Sequence, residues 1–169
     1  MERRSGIVAL VGNPRAGSRT AAVASSVAER FRLDGEAVDV VELADLGPSL
    51  LDWSSAQPAV EAALTAVGAS RLVVVATPTY KASYTGLLKA FLDRYPSQAL
   101  RGTATVAVMV GAAPHHAMAV DAHLRPLLTE LGSTCVAGIY VLESDIERLD
   151  AVLDEWVGGL ALPASPATA

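Results

Sequence analysis

The run Arg71–Ala76, R-L-V-V-V-A, carries no polar residue after its first position. A strand with one wet face alternates apolar and polar side chains, so an unbroken β-branched run reads as a strand covered on both faces. Such strands lie inside parallel sheets, and parallel neighbours require crossover connections, usually helical. The remaining pattern fits that requirement. Strands are expected at Gly6–Val11, Ala37–Leu43, Arg71–Ala76, Thr103–Val110 and Thr134–Val141. Helices are expected at Ser18–Arg32, Pro58–Val67, Ser83–Tyr95, His116–Leu131 and Ser144–Leu160. Asp34-Gly35 stops the first helix, Pro58 opens the second, and Pro126 should kink the fourth. Ala44–Gln57, with Gly47, Pro48 and Trp53, reads as an irregular loop. Strands alternating with helices imply an α/β fold, a parallel sheet with helices on both faces.

The 169 residues suit one domain, expected over 1–160, with a proline- and alanine-rich tail at 161–169 expected to fray. Hydrophobic residues make up 51% but aromatics only 5%, so small side chains pack closely and surplus apolar surface points to an oligomer. Thirteen basic against eighteen acidic residues give a net charge of −5, which argues against a nucleic-acid or membrane-surface partner. No apolar stretch reaches the length of a membrane span. Arg3-Arg4 precedes an apolar run too short for a leader, so that run reads as the first strand. The single cysteine, Cys135, cannot form an intrachain disulfide and fits a reducing cytoplasm; its apolar setting reads as a structural thiol.

In doubly wound sheets, ligands bind outside the carboxyl ends of the strands. Three loops there are chemically unusual. After the first strand comes G-N-P-R-A-G-S-R-T, Gly12 to Thr20. Gly12 and Gly17 have Walker A spacing, but Ser18 replaces the lysine that triphosphate chemistry needs. Pro14 stands where a dinucleotide loop needs its second glycine. Asn13, Arg15, Ser18, Arg19 and Thr20 remain, a set suited to one terminal phosphate monoester at a helix start. The structural alternative is an ordinary strand-to-helix turn with Ser18 as N-cap.

The second loop, Thr77–Ala82, opens a longer run, T-P-T-Y-K-A-S-Y-T-G, with backbone donors, Tyr80 and a lysine for a planar ring. Its bland reading is a half-buried tyrosine anchor and a solvated Lys81. The third loop, Gly111–His115, opens onto His116. No carboxylate or cysteine stands at ligand spacing from these histidines, so no metal site is expected, and no nucleophile–histidine–acid set is visible.

The first loop, the run T-P-T-Y-K-A-S-Y-T-G-L-L-K from Thr77 to Lys89, and the segment from Gly111 through H-A-M-A-V-D to L-R-P-L resemble the NADPH-dependent FMN reductases. The nearest subtype is the reductase component of two-component sulfonate monooxygenase systems. The resemblance implies a flavodoxin-like three-layer fold, a five-stranded parallel sheet of order 2-1-3-4-5, with FMN across the three loops. Asn13, Arg15, Ser18, Arg19 and Thr20 would hold the phosphate. Pro78, Thr79, Tyr80, Lys81, Ala82 and Ser83 would line the ribityl chain and ring, and Gly111 and His116 match the third loop. Arg15 would also face the 2′-phosphate of NADPH, with NADH a possible donor. No protein acid or base is implied as catalytic. The implied activity is hydride transfer from NAD(P)H to FMN, supplying reduced flavin to a monooxygenase, in a cytoplasmic homodimer or homotetramer. Two departures stand out: Ala122 where the sulfonate subtype carries tyrosine, and Ala112-Ala113-Pro114 in place of a more glycine- and serine-like stretch. Two other readings stay open, a flavoprotein with tightly held FMN reducing quinone, azo or metal acceptors, and a flavodoxin-type carrier or flavin-binding subunit.

Overall fold

The computed structural model describes residues 5–160; the tail expected to fray lies outside the described residues. Five strands, β1 (Ile7–Val11), β2 (Val38–Glu42), β3 (Leu72–Pro78), β4 (Ala104–Gly111) and β5 (Thr134–Leu142), form one parallel sheet of order β2-β1-β3-β4-β5. All pairing is parallel, with one register shift between β4 and β5 after Thr105; Ile7, for example, stands opposite Val38 on one side and Leu72 on the other. Every residue of β3 is buried, as its unbroken apolar run requires.

The helices are α1 (Arg19–Arg30), α2 (Pro58–Ala69), α3 (Gly86–Leu92), α4 (Arg125–Glu130) and α5 (Leu149–Gly158). The two-residue period of each strand divides the core. Ile7, Ala9, Val11, Val74, Ala76 and Val108 face α1 and α5, whose Val23, Ala24, Val27, Ala28 and Leu153 are fully buried against them. Val8, Leu10, Val73, Val75 and Met109 face the other side, under Val60, Leu88, Phe91 and Leu128. The α1 face is built from alanine and valine, whereas the opposite face carries most of the leucines and the core phenylalanine.

Four segments differ from the sequence reading. The third helix begins at Gly86 rather than Ser83, because Tyr80 and Ser83 pair across a tight turn and Thr85 supplies the N-cap. It ends at Leu92, before Pro96. The expected fourth helix is composite: a 3₁₀ segment (Pro114–Met118), a π turn (Val120–Leu124), then α4. Pro126 lacks the N–H for an ordinary helical bond, and the widened turn before it closes through the Arg125 N–H to the Val120 carbonyl, so the proline heads α4 rather than lying within a longer helix. The expected fifth helix starts as a 3₁₀ segment, Glu143–Arg148, and turns α-helical where the non-helical backbone of Arg148 ends it. The loop Ala44–Gln57 contains two short 3₁₀ segments. Arg94 fastens this loop: its guanidinium donates to the Ser49, Leu50 and Asp52 carbonyls and lies 4.7 Å from the Trp53 ring centre.

Cys135 is half-buried, and its thiol lies 3.4 Å from the Ala137 carbonyl. Among the described residues no helix is long and apolar enough to cross a membrane.

Candidate active site at the carboxyl ends of the strands

The first loop is built by its own side chains. Gly12 is buried, and a Cβ there would stand 2.6 Å from Leu88 Cβ, so only glycine lets β1 pass this close to α3. Asn13 is buried and braces the loop twice: Nδ2 donates to Thr20 Oγ1 at 3.0 Å, and Oδ1 accepts the Arg15 N–H at 3.0 Å. Gly17 has φ +61°, a left-handed conformation that costs a glycine little. Ser18 is the N-cap of α1: its Oγ accepts from the Ala21 N–H at 3.2 Å, which leaves its own O–H free to donate outward. The N-cap reading and the anion reading are therefore compatible. The first turn of α1, Arg19-Thr20-Ala21-Ala22, holds no acid to oppose an anion.

Asn13, Arg15, Ser18, Arg19, Thr20, Pro78 and Tyr80 line one cleft of ≈ 450 Å³, together with Val110 and Glu143. Thr79, Tyr80, Lys81, Ala82 and His116 line a second, more apolar recess. Tyr80 belongs to both and joins them. Ser83 and Gly111 line neither. Ser83 closes the turn, and Gly111 is buried where Thr79 and Tyr140 converge.

The second loop is a two-residue turn. Tyr80 and Ser83 exchange N–H···O bonds of 2.9 and 3.1 Å, and Lys81 and Ala82 between them take φ of +52° and +61°. Successive positive φ values suit glycine or asparagine; here a lysine and an alanine adopt them at a cost of about 1 kcal/mol each. Strain of this kind concentrates where a loop must hold one shape. The turn is anchored below by Thr77, whose Oγ1 accepts the Thr85 N–H at 3.1 Å.

Thr85 ties the first and second loops together. Its hydroxyl donates to the Gly12 carbonyl at 2.6 Å and accepts from the Leu88 N–H at 3.1 Å. The third loop is held by Tyr140, whose phenol donates to the Ala113 carbonyl at 2.8 Å. Burial pushes that phenol above its ordinary value, so it keeps the proton it donates. Thr79 Oγ1 is buried beside the Tyr140 phenol, which interacts with it.

Four participants escape a loop-by-loop reading of the sequence: Thr85, Tyr140, Glu42 and Glu143. Glu42, the last residue of β2, accepts the Gly17 N–H at 3.0 Å. Glu143, directly after β5, lies 3.1 Å from Arg19. The two histidine rings of His115 and His116 pack edge to face at 4.3 Å between centres. Among the described residues no three His, Cys, Asp or Glu side chains converge to hold a metal.

Residues 6–147 match the family described as NADPH-dependent FMN reductase. The chain is 30% identical to NADH-dependent FMN reductase SfnF of Pseudomonas putida, over 95% of this chain and 96% of that protein. It is 31% identical to FMN reductase (NADPH) of Escherichia coli K12, over 83% of this chain and 74% of that protein. The crystal structure of the apo form of an NADH:FMN oxidoreductase, EMOB, superposes with a TM-score of 0.79 at 34% identity, covering 97% of this chain and 93% of that one. The sheet order, the three loops gathered at its carboxyl edge and these matches over most of their lengths agree: the chain belongs to the NADPH-dependent FMN reductase family.

Proposed function

We propose that this protein reduces FMN with a nicotinamide nucleotide and passes the reduced flavin to a partner monooxygenase. The observation that carries this reading is the joined cleft: an anion site with two arginines and a helix N-terminus leads, through Tyr80, into an apolar recess. A ligand with a phosphate at one end and a flat ring at the other suits both halves. The residues present fit FMN. The Gly17 N–H already holds a carboxylate oxygen, that of Glu42.

FMN, when bound, supplies the ring that accepts hydride from the nicotinamide. The protein's part is binding and orientation. Arg15, Ser18 and Arg19 hold the phosphate, while Asn13 and Thr20 keep their loop in shape. Pro78 to Ala82 flank the ribityl chain and ring, with His116 on the third-loop side, while Ser83 closes the turn and Gly111 lies buried behind Thr79. Lys81 places a positive charge beside the recess, where it stabilises a ring carrying negative charge. Arg15, exposed at the mouth, is the candidate for the 2′-phosphate of NADPH. The relatives divide between NADH and NADPH in their names, so this arginine is where the preference is to be sought. Exposed Leu51, Trp53 and Met118 favour assembly into a homodimer or homotetramer, and the lone thiol suits the cytoplasm.

An anaerobic titration tests the reading. Protein with one equivalent of FMN receives NADPH, then in a separate run NADH, while the flavin band is followed. Rapid bleaching with either supports it. Bound flavin that neither nucleotide bleaches refutes it.

A further inference from the structure

We propose that Glu42 and Glu143 set how strongly this site prefers a phosphorylated flavin to its phosphate-free form. The inference rests on the FMN reading above. The two carboxylates reach the first loop from opposite edges of the sheet, Glu42 from the end of β2 and Glu143 from the end of β5. Each occupies a donor that a phosphate would use. Glu42 Oε2 accepts the Gly17 N–H at 3.0 Å. Glu143 Oε2 lies 3.1 Å from Arg19 Nη1, and Glu143 also lines the cleft.

A phosphate entering this loop therefore does not fill idle donors. It displaces one carboxylate from an N–H, shares or takes a guanidinium from the other, and meets two negative charges as it does so. Part of its binding free energy goes into that exchange. A flavin without a phosphate brings no negative charge to either carboxylate, so the electrostatic penalty falls on FMN alone. The two glutamates thus lower the ratio of FMN to riboflavin affinity.

The test measures dissociation constants of FMN and riboflavin for the full chain by flavin fluorescence quenching at low ionic strength. Wild type, Glu42→Gln, Glu143→Gln and the double variant are compared, with melting temperatures alongside. Glutamine keeps the shape and an acceptor oxygen but removes the charge. Each single change is expected to tighten FMN by about 3- to 5-fold, the scale of one exposed ion pair, and the pair by about 10-fold. Riboflavin should stay within about twofold, and the FMN gain should shrink at high salt. FMN affinity that is unchanged or weaker overturns the proposal and makes the carboxylates braces of the loop. So does an equal tightening of riboflavin. If wild type binds FMN and the variants match it, only this inference fails. If wild type binds neither flavin, the functional reading fails as well.

Discussion

Thr85 offers the sharpest test of how the site is held together. It is 4% exposed, and its hydroxyl serves two buried backbone groups at once, the Gly12 carbonyl and the Leu88 N–H. Thr85→Val keeps the shape and removes both bonds. Each buried group left without a partner costs about 1–3 kcal/mol, and loss of a threonine N-cap alone costs about 1 kcal/mol. The expected loss is about 3 kcal/mol, or about 6–12 °C in melting temperature for a domain of this size. Thr85→Ser retains the hydroxyl and sheds one methyl, so it should lose no more than about 1 kcal/mol. Urea and thermal melts of the two variants give the comparison. Because Gly12 begins the first loop, FMN affinity should weaken in the valine variant and hold in the serine variant. A valine variant within about 0.5 kcal/mol of wild type would refute the reasoning, since surface-like substitutions fall in that range.

Three further outcomes are expected. Ala82→Gly should leave stability unchanged or raise it by up to about 1 kcal/mol, because glycine accepts the φ of +61°; Ala62→Gly, exposed in α2, should cost about 1 kcal/mol, and equal losses at the two sites would contradict the left-handed turn. Ser18→Ala should weaken FMN binding and cost about 1 kcal/mol through loss of the α1 cap; unchanged FMN affinity would remove Ser18 from the phosphate site. Arg71 hydrogen-bonds Glu36 and holds its carboxyl below the usual range, so the pair's contribution is present above about pH 4.3, the unfolded value, and fades as pH falls through the lower folded value. Glu36→Gln should therefore flatten the acid limb of a stability–pH curve while leaving its shape near neutrality unchanged.

The sheet was legible because each strand announces itself by its apolar run, and the alternation with helices leaves few ways to arrange them. The three loops were legible because they follow those runs directly. In the sequence the third helix reads as starting at Ser83 because Ser83 and Thr85 can both cap; only the Tyr80–Ser83 pairing selects Thr85. The left-handed Lys81-Ala82 turn runs against local propensity and depends on the anchors at Thr77 and Thr85. Pro126 signalled an interruption, but not that a π turn ahead of it would absorb the missing bond. Glu42 and Glu143 look like solvated acids in sequence, yet both fall at the carboxyl ends of strands, the same edge as the loops. Tracking every charged residue at that edge, rather than loops alone, would have found them.

The alanine face beneath α1 has a bearing on how mutations in this protein would be sorted. Ala24 and Ala28 have no exposed surface, and the sheet opposite them offers Ala9 and Ala76. An added methyl or larger group there has nowhere to go except to lift the helix. Because α1 moves as one rigid rod, that displacement reaches its first turn, which carries Ser18 and Arg19 to the cleft. A selection scored on flavin binding would then group these buried alanines with the ligand-facing residues, although no atom of theirs lies in the cleft.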